Sequence, residues 1–270
     1  MFEIFESYPF LLNAFLASIL VSICAGIVGA LIVSSKSVFL TGGVAHGAFG
    51  GVGVALFFGF STTLGASIAA VLMALIMVYA TLKHKHALDN YIAALWALGM
   101  AIGVICIDLS QGYGSDLSSY LFGSVIAVSG GDLYQIAFFD VLLLSFIGVF
   151  YREILSVLYD AEFCKLKRIN TQLFYVVIFV LVSLGIVMSM SVAGLILVIS
   201  ILSIPAYIAA LFAPSLRIQM SLSWIFSLVL MWVGFGFSYA LDLSIGACVV
   251  VVSVCSLFLV LLLKRMCRRV

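Results

Sequence analysis

Apolar residues run almost without interruption along this chain. Short clusters of charges, glycines and turn formers divide them into nine stretches at 11–33, 38–59, 64–82, 90–109, 132–150, 171–189, 192–212, 219–240 and 245–263. The runs are continuous rather than alternating with a period of two, so they predict helices and not the strands of a barrel. Each approaches the roughly 20 residues that a helix needs to cross a bilayer's hydrocarbon core, where no water satisfies a free backbone group. The chain therefore reads as an all-α integral membrane protein, one polytopic domain over 1–270 with about eight to nine transmembrane helices. An even number of spans, with one run re-entrant, stays open.

Two segments break the pattern. In 110–131, SQGYGSDLSSYLFGSVIAVSGG, the central apolar part is too short to cross. It fits an outer re-entrant half-helix, which survives at membrane depth only when surrounded by protein or a wet cavity. In 151–170, YREILSVLYDAEFCKLKRIN, charges of both signs alternate with Ile154, Leu155, Leu158, Phe163 and Leu166 at helical spacing. That spacing predicts an amphipathic helix lying on the membrane or on a partner.

Composition agrees with the pattern and excludes a water-soluble domain: 66% of residues are hydrophobic, 9% are charged, and the mean hydropathy is +1.36. Placing the charges on the predicted spans gives the orientation. With the N-terminus outside, all twelve lysines and arginines, from Lys36 to Arg269, fall on the cytoplasmic side, as the positive-inside rule requires. The first ten residues, MFEIFESYPF, lack the basic start of a secretory signal peptide, so the first helix is expected to be retained. Five of the six cysteines fall in predicted spans or the 151–170 loop without CxxC spacing, which argues against a disulfide framework or zinc knuckle. G-x-x-x-x-G-K-[S/T] is absent, so any ATP is bound by another subunit.

Chemistry concentrates in the second run, SVFLTGGVAHGAFGGVGVALFFG. Gly43, Gly47 and Gly51 recur every four residues and form the small-xxx-small stripe that lets membrane helices approach closely. His46 lies about 100° around the helix from that stripe, with Gly42 and Gly50 one turn either side. An imidazole flanked by glycines has two readings: a hydrogen bond between helices, or a ligand or gate for a divalent cation. Asp140 is the only acid in the interior of a predicted span, away from its ends. It is expected to face a structural partner or an ion path. Asp108, Asp116, Asp132 and Asp242 read as caps or receptor contacts at outer helix ends, and His84 and His86 as a solvated basic cluster. Pro205, within LILVISILSIPAYIAALFA, removes a backbone hydrogen bond and predicts a kink.

These motifs together resemble the permease of ABC importers for zinc, manganese and iron, the metal-uptake branch of the type II importers. The resemblance is carried in order by LTGGVAHGAFGGVGVA, DNYIAALWALGMAIGV with DLSSYLFGSVIAVSGGDL, YDAEFCKLKRIN, and VAGLILVISILSIPAYIAALFA with GFGFSYALDLSIGA. It implies that His46 faces the translocation path, and that Tyr159, Asp160, Glu162 and Phe163 belong to a coupling helix docking on an ATPase. It also implies a permease homodimer, two cytoplasmic ATPase subunits holding ATP and Mg, an extracytoplasmic metal-binding receptor, and alternating access. No cofactor bound by this chain and no nucleic-acid partner are expected. The sequence departs from the family at Gly42, where an aspartate is usual, at Ala161, Cys164 and Arg168, where proline, alanine and glycine are common, and in the run Pro205 to Ala210, where the family's Pro-x-x-x-Ala-Arg appears without its arginine. Secondary transporters would be expected to show more intramembrane carboxylates and an internal repeat. A permease of the vitamin B12 and siderophore branch would need no histidine in its path. An intramembrane metalloprotease would carry H-E-x-x-H, which is absent.

Overall fold

The computed structural model describes residues 9–83, 87–110 and 128–267. They form ten helices: α1 (Pro9–Ser34), α2 (Phe39–Phe58), α3 (Thr62–Lys83), α4 (Leu88–Leu109), α5 (Gly130–Tyr159), α6 (Ala161–Leu166), α7 (Thr171–Ala193), α8 (Leu195–Ala210), α9 (Leu216–Leu241) and α10 (Ile245–Cys267). Eight are long and apolar enough to cross a membrane, and α8 is a shorter apolar helix of 16 residues. The re-entrant segment expected at 110–131 lies largely outside the described residues, as do Asp116, His84 and His86. Contacts gather the chain into two compact units, one of Met1–Val33, Ser118–Ala137 and Ser189–Val270, the other of Ser34–Leu117 and Phe138–Met188.

In the first unit, α8 is mostly buried and starts at Gly194, whose φ of 83° and ψ of 160° suit only a residue without a side chain. This single residue separates α7 from α8, so the predicted break near 190–191 falls a few residues later. Helix α8 stays helical through Pro205. A proline has no N–H, so the carbonyl four residues earlier, that of Ile201, loses its helical donor. The Ser227 hydroxyl of α9 donates to that carbonyl at 3.4 Å. Beyond it, Gln219 Nε2 donates to the Ala206 carbonyl at 3.4 Å and Lys264 Nζ to that of Leu211 at 2.9 Å. Side chains from α9 and α10 thus reach the Ile201 carbonyl freed by Pro205 and the Leu211 carbonyl at the helix end. The Lys264 contact also brings the C-terminal end of α8 beside that of α10. Helix α1 meets α9 through small residues and aromatic rings: a Cβ on Gly26 would lie 2.7 Å from that of Trp224. Trp232 Nε1 donates to Ser18 Oγ at 3.1 Å, and its ring stacks on Phe15.

Helix α5 corrects one expectation. Residues 151–170 are not one amphipathic helix; the span continues past a kink at Phe150 (φ −104°, ψ 22°) to Tyr159, and only Ala161–Leu166 forms a separate helix. Thirty residues at about 1.5 Å each reach about 45 Å, well beyond a hydrocarbon core of about 30 Å. The last turns leave the apolar zone, so Arg152 and Glu153 do not end the helix. At the other end, Ser129 and Asp132 cap one another. The Ser129 amide and hydroxyl donate to Asp132 Oδ2 at 3.1 and 2.7 Å, and the Asp132 amide donates back to Ser129 Oγ at 3.2 Å. This is the reciprocal arrangement of a capping box.

Candidate functional site

Helix α2 owes its position to glycine on two faces. Gly43, Gly47 and Gly51 meet Met77, Met73, and Gly65 with Ala69 on α3, and Gly43 also meets Ile92 of α4. A second glycine face looks at α4. A Cβ on Gly50 would lie 2.7 Å from the Gly99 carbonyl oxygen, and one on Gly53 would lie 2.5 Å from that of Gly103. Here backbone rests on backbone, which only paired glycines permit. The signal for this contact is the GMAIG of the fourth run, residues 99–103, a second small-xxx-small pair.

His46 sits on the α4 side. Its ring is half-buried and lies against the Trp96 indole, with centroids 4.4 Å apart and planes within 11°. The side-chain-free space beside Gly42 is filled by the same indole, whose Cζ3 would stand 3.4 Å from a Cβ there. The room expected around the imidazole is therefore taken on one face by Trp96, while Trp96 itself stays 38% exposed. Nδ1 of His46 is buried without a hydrogen-bond partner among the described residues. The hydrogen bond between helices that the sequence left open is not formed among them; an aromatic stack stands in its place.

Asp140, in the same unit on α5, is 2% exposed, and both carboxylate oxygens are buried without a partner among the described residues. No group of three or more His, Cys, Asp or Glu able to hold a metal occurs among the described residues. Within one chain His46 and Asp140 are thus isolated polar groups rather than members of a cage. That suits passage of an ion more than its retention.

At the end of α5 the other predicted residues gather. Tyr159 is exposed at the helix end, and Asp160 caps α6 by accepting the Phe163 N–H at 2.9 Å. Glu162 lies within α6. Phe163 is exposed and Leu166 is 84% exposed, an apolar pair facing outward from a helix of six residues. Cys164 faces inward, fully buried; burial, with the Asp160 carboxylate adding to it, pushes its thiol above the ordinary range. Arg168 follows in the left-handed region, φ 54°. This is the backbone conformation that glycine adopts most easily, and glycine is what the resemblance expects there.

The arrangement has close counterparts. The family model of the ABC 3 transport family matches residues 7–265. An uncharacterised membrane protein of Synechocystis is 36% identical over 96% of this chain and 92% of its own length. The manganese transport system membrane protein MntC of Halalkalibacterium halodurans is 30% identical over 93% of this chain and 86% of its own. The solved structure of PsaBC from Streptococcus pneumoniae in complex with Fab superposes with a TM-score of 0.84, at 25% identity, over 95% of this chain and 92% of the other. The helical bundle, the ordered motifs and the match along nearly the whole sequence have one common reading: this chain belongs to the ABC 3 transport family.

Proposed function

We propose that the chain is the membrane-spanning permease of an ATP-binding cassette importer that moves a divalent transition metal, manganese or zinc and by the same chemistry iron, into the cytoplasm of a bacterium. The observation that carries the reading is His46, an imidazole with an unpaired nitrogen on a glycine-packed helix that contains no other ionisable group. Imidazole accepts all three metals, and a single ligand per chain binds weakly enough to release them. The manganese assignment of the MntC relative supports a metal of this class. Two permeases would place two His46 side chains about a shared path, with Asp140 contributing a second polar group along it.

The work of transport falls on partners. Two ATPase subunits would hold ATP and Mg at the cytoplasmic face, and a metal-binding receptor would dock outside. Closure of the ATPases would be passed to the permease through Tyr159, Asp160, Glu162 and Phe163. The N-terminus lies outside and the C-terminus inside, with the cations of Lys36, Lys83, Arg152, Lys165, Lys167, Arg168, Arg217 and Lys264 toward the cytoplasm of the inner membrane.

The test is accumulation of zinc, manganese and iron in cells that express the chain with its ATPase and receptor, comparing the native protein with His46→Ala. ATP-dependent uptake of one metal that falls at least tenfold in the variant, at equal expression, is the expected result. Equal uptake by both removes His46 from the path.

A further inference from the structure

We propose that Trp96 is the positioning residue for His46, holding the imidazole plane so that Nε2 presents to the passing ion. The inference rests on the reading that His46 lines that path. A histidine that binds a metal ordinarily donates its second ring N–H to a carboxylate or carbonyl, which fixes the tautomer and aims the ring. His46 has no such partner among the described residues: Nδ1 is buried and unbonded. Its own helix cannot aim it either, because Gly42 and Gly50 stand one turn away on each side and the outer torsion of a histidine is intrinsically broad. The oriented neighbour among the described residues is the indole, nearly parallel at 4.4 Å, which blocks rotation of the ring out of its plane. With Nδ1 enclosed, Nε2 is the nitrogen left to face the ion.

Two consequences distinguish a stack from the usual hydrogen bond. With no carboxylate among the described residues to raise the basicity of the imidazole, its hold on an ion is weaker and exchange is faster. The indole is also wide enough to cover one ring face and close that side to water. Its position is fixed in turn by the backbone contact of Gly50 with Gly99, three residues beyond Trp96. Such a seat sets affinity and exchange rate without adding a ligand.

The experiment uses the assembled transporter in lipid nanodiscs and Mn2+ as probe, with bound ion obtained from the electron spin resonance of free Mn2+. Loss of the aromatic face in Trp96→Leu is expected to weaken Mn2+ binding about two- to tenfold, the range an aromatic pair contributes, while Trp96→Phe restores most of it. In a His46→Ala background, Trp96→Leu is expected to have no further effect, because a positioning residue acts only through the group it positions. A spectroscopic arm covers variants that fail to assemble. With Trp224 and Trp232 replaced by Phe, the emission of Trp96 is expected to be quenched by open-shell Mn2+ but not by closed-shell Zn2+, and His46→Ala is expected to abolish the quenching. If Trp96→Leu binds Mn2+ like the native protein while His46→Ala does not, or if Mn2+ binds in a His46-dependent way without quenching Trp96, Trp96 is a bystander and the inference falls while the path reading stands. If His46→Ala binds Mn2+ normally, the path reading itself fails and the inference goes with it.

Discussion

A hydrogen atom in place of a methyl group decides how near two helices come, and this chain uses that difference unevenly. A Cβ on Gly99 would run into the Gly47 backbone, whereas one on Gly148 of α5 would meet nothing within 4 Å. Gly99→Ala is expected to cost about 1–3 kcal/mol, since backbone cannot yield as a flexible side chain does. Gly148→Ala is expected to be neutral or to gain about 0.5–1 kcal/mol of helix propensity. Thermal unfolding of the purified protein, followed by size-exclusion chromatography, reads both. At this scale the sequence was informative about type and silent about partner. His46 stood out because an ionisable group among glycines has to be explained, but Trp96, fifty positions further along, looked like any aromatic in a membrane helix. Only the packing of α2 on α4 could bring it to the imidazole.

Helices end where their backbone runs out of partners, not where the chain stops being apolar, and this is why the long spans were legible and two element ends were not. Hydropathy stopped α5 near Phe150, but the helix continues to Tyr159. It likewise drew the 192–212 run as a full span, whereas α8 keeps only 16 residues. The proline inside α8 has its own remedy in Ser227. Ser227→Ala is expected to cost about 1 kcal/mol by orphaning the Ile201 carbonyl. In a Pro205→Ala background, where the helix supplies an N–H to Ile201, the same change should cost much less, and a double-mutant cycle on unfolding temperature measures the difference. The short α6 allows capping to be separated from docking. Asp160→Asn keeps an N-cap acceptor, while Asp160→Ala loses it at about 1 kcal/mol. If the proposed ATPase contact is made through this helix, Phe163→Ala and Asp160→Lys will reduce co-purification of the ATPase, and Asp160→Asn will preserve most of it.

Across the whole molecule, parity links orientation to the short helix. Eight long spans alone would return the C-terminus to the side of the N-terminus; α8 as a ninth crossing sends it to the other. The proposed orientation, with the cations inside, requires that ninth crossing. A reporter fused after Val270 is therefore expected to be active only in the cytoplasm, and one fused before α1 only outside; matching activity at both ends would reduce the crossings to an even number. The twelve cations alone propose this orientation, because the positive-inside rule depends on counts and sides rather than contacts. The glycine contact of α2 with α4 has a consequence for motion. At Gly50 with Gly99 and at Gly53 with Gly103 backbone meets backbone with no side chain to give way, so sliding one helix along the other would first have to lift these contacts apart. Any cycle that opens the path alternately to each side must carry these two helices together as one plank, and a covalent staple between them would leave the pump running.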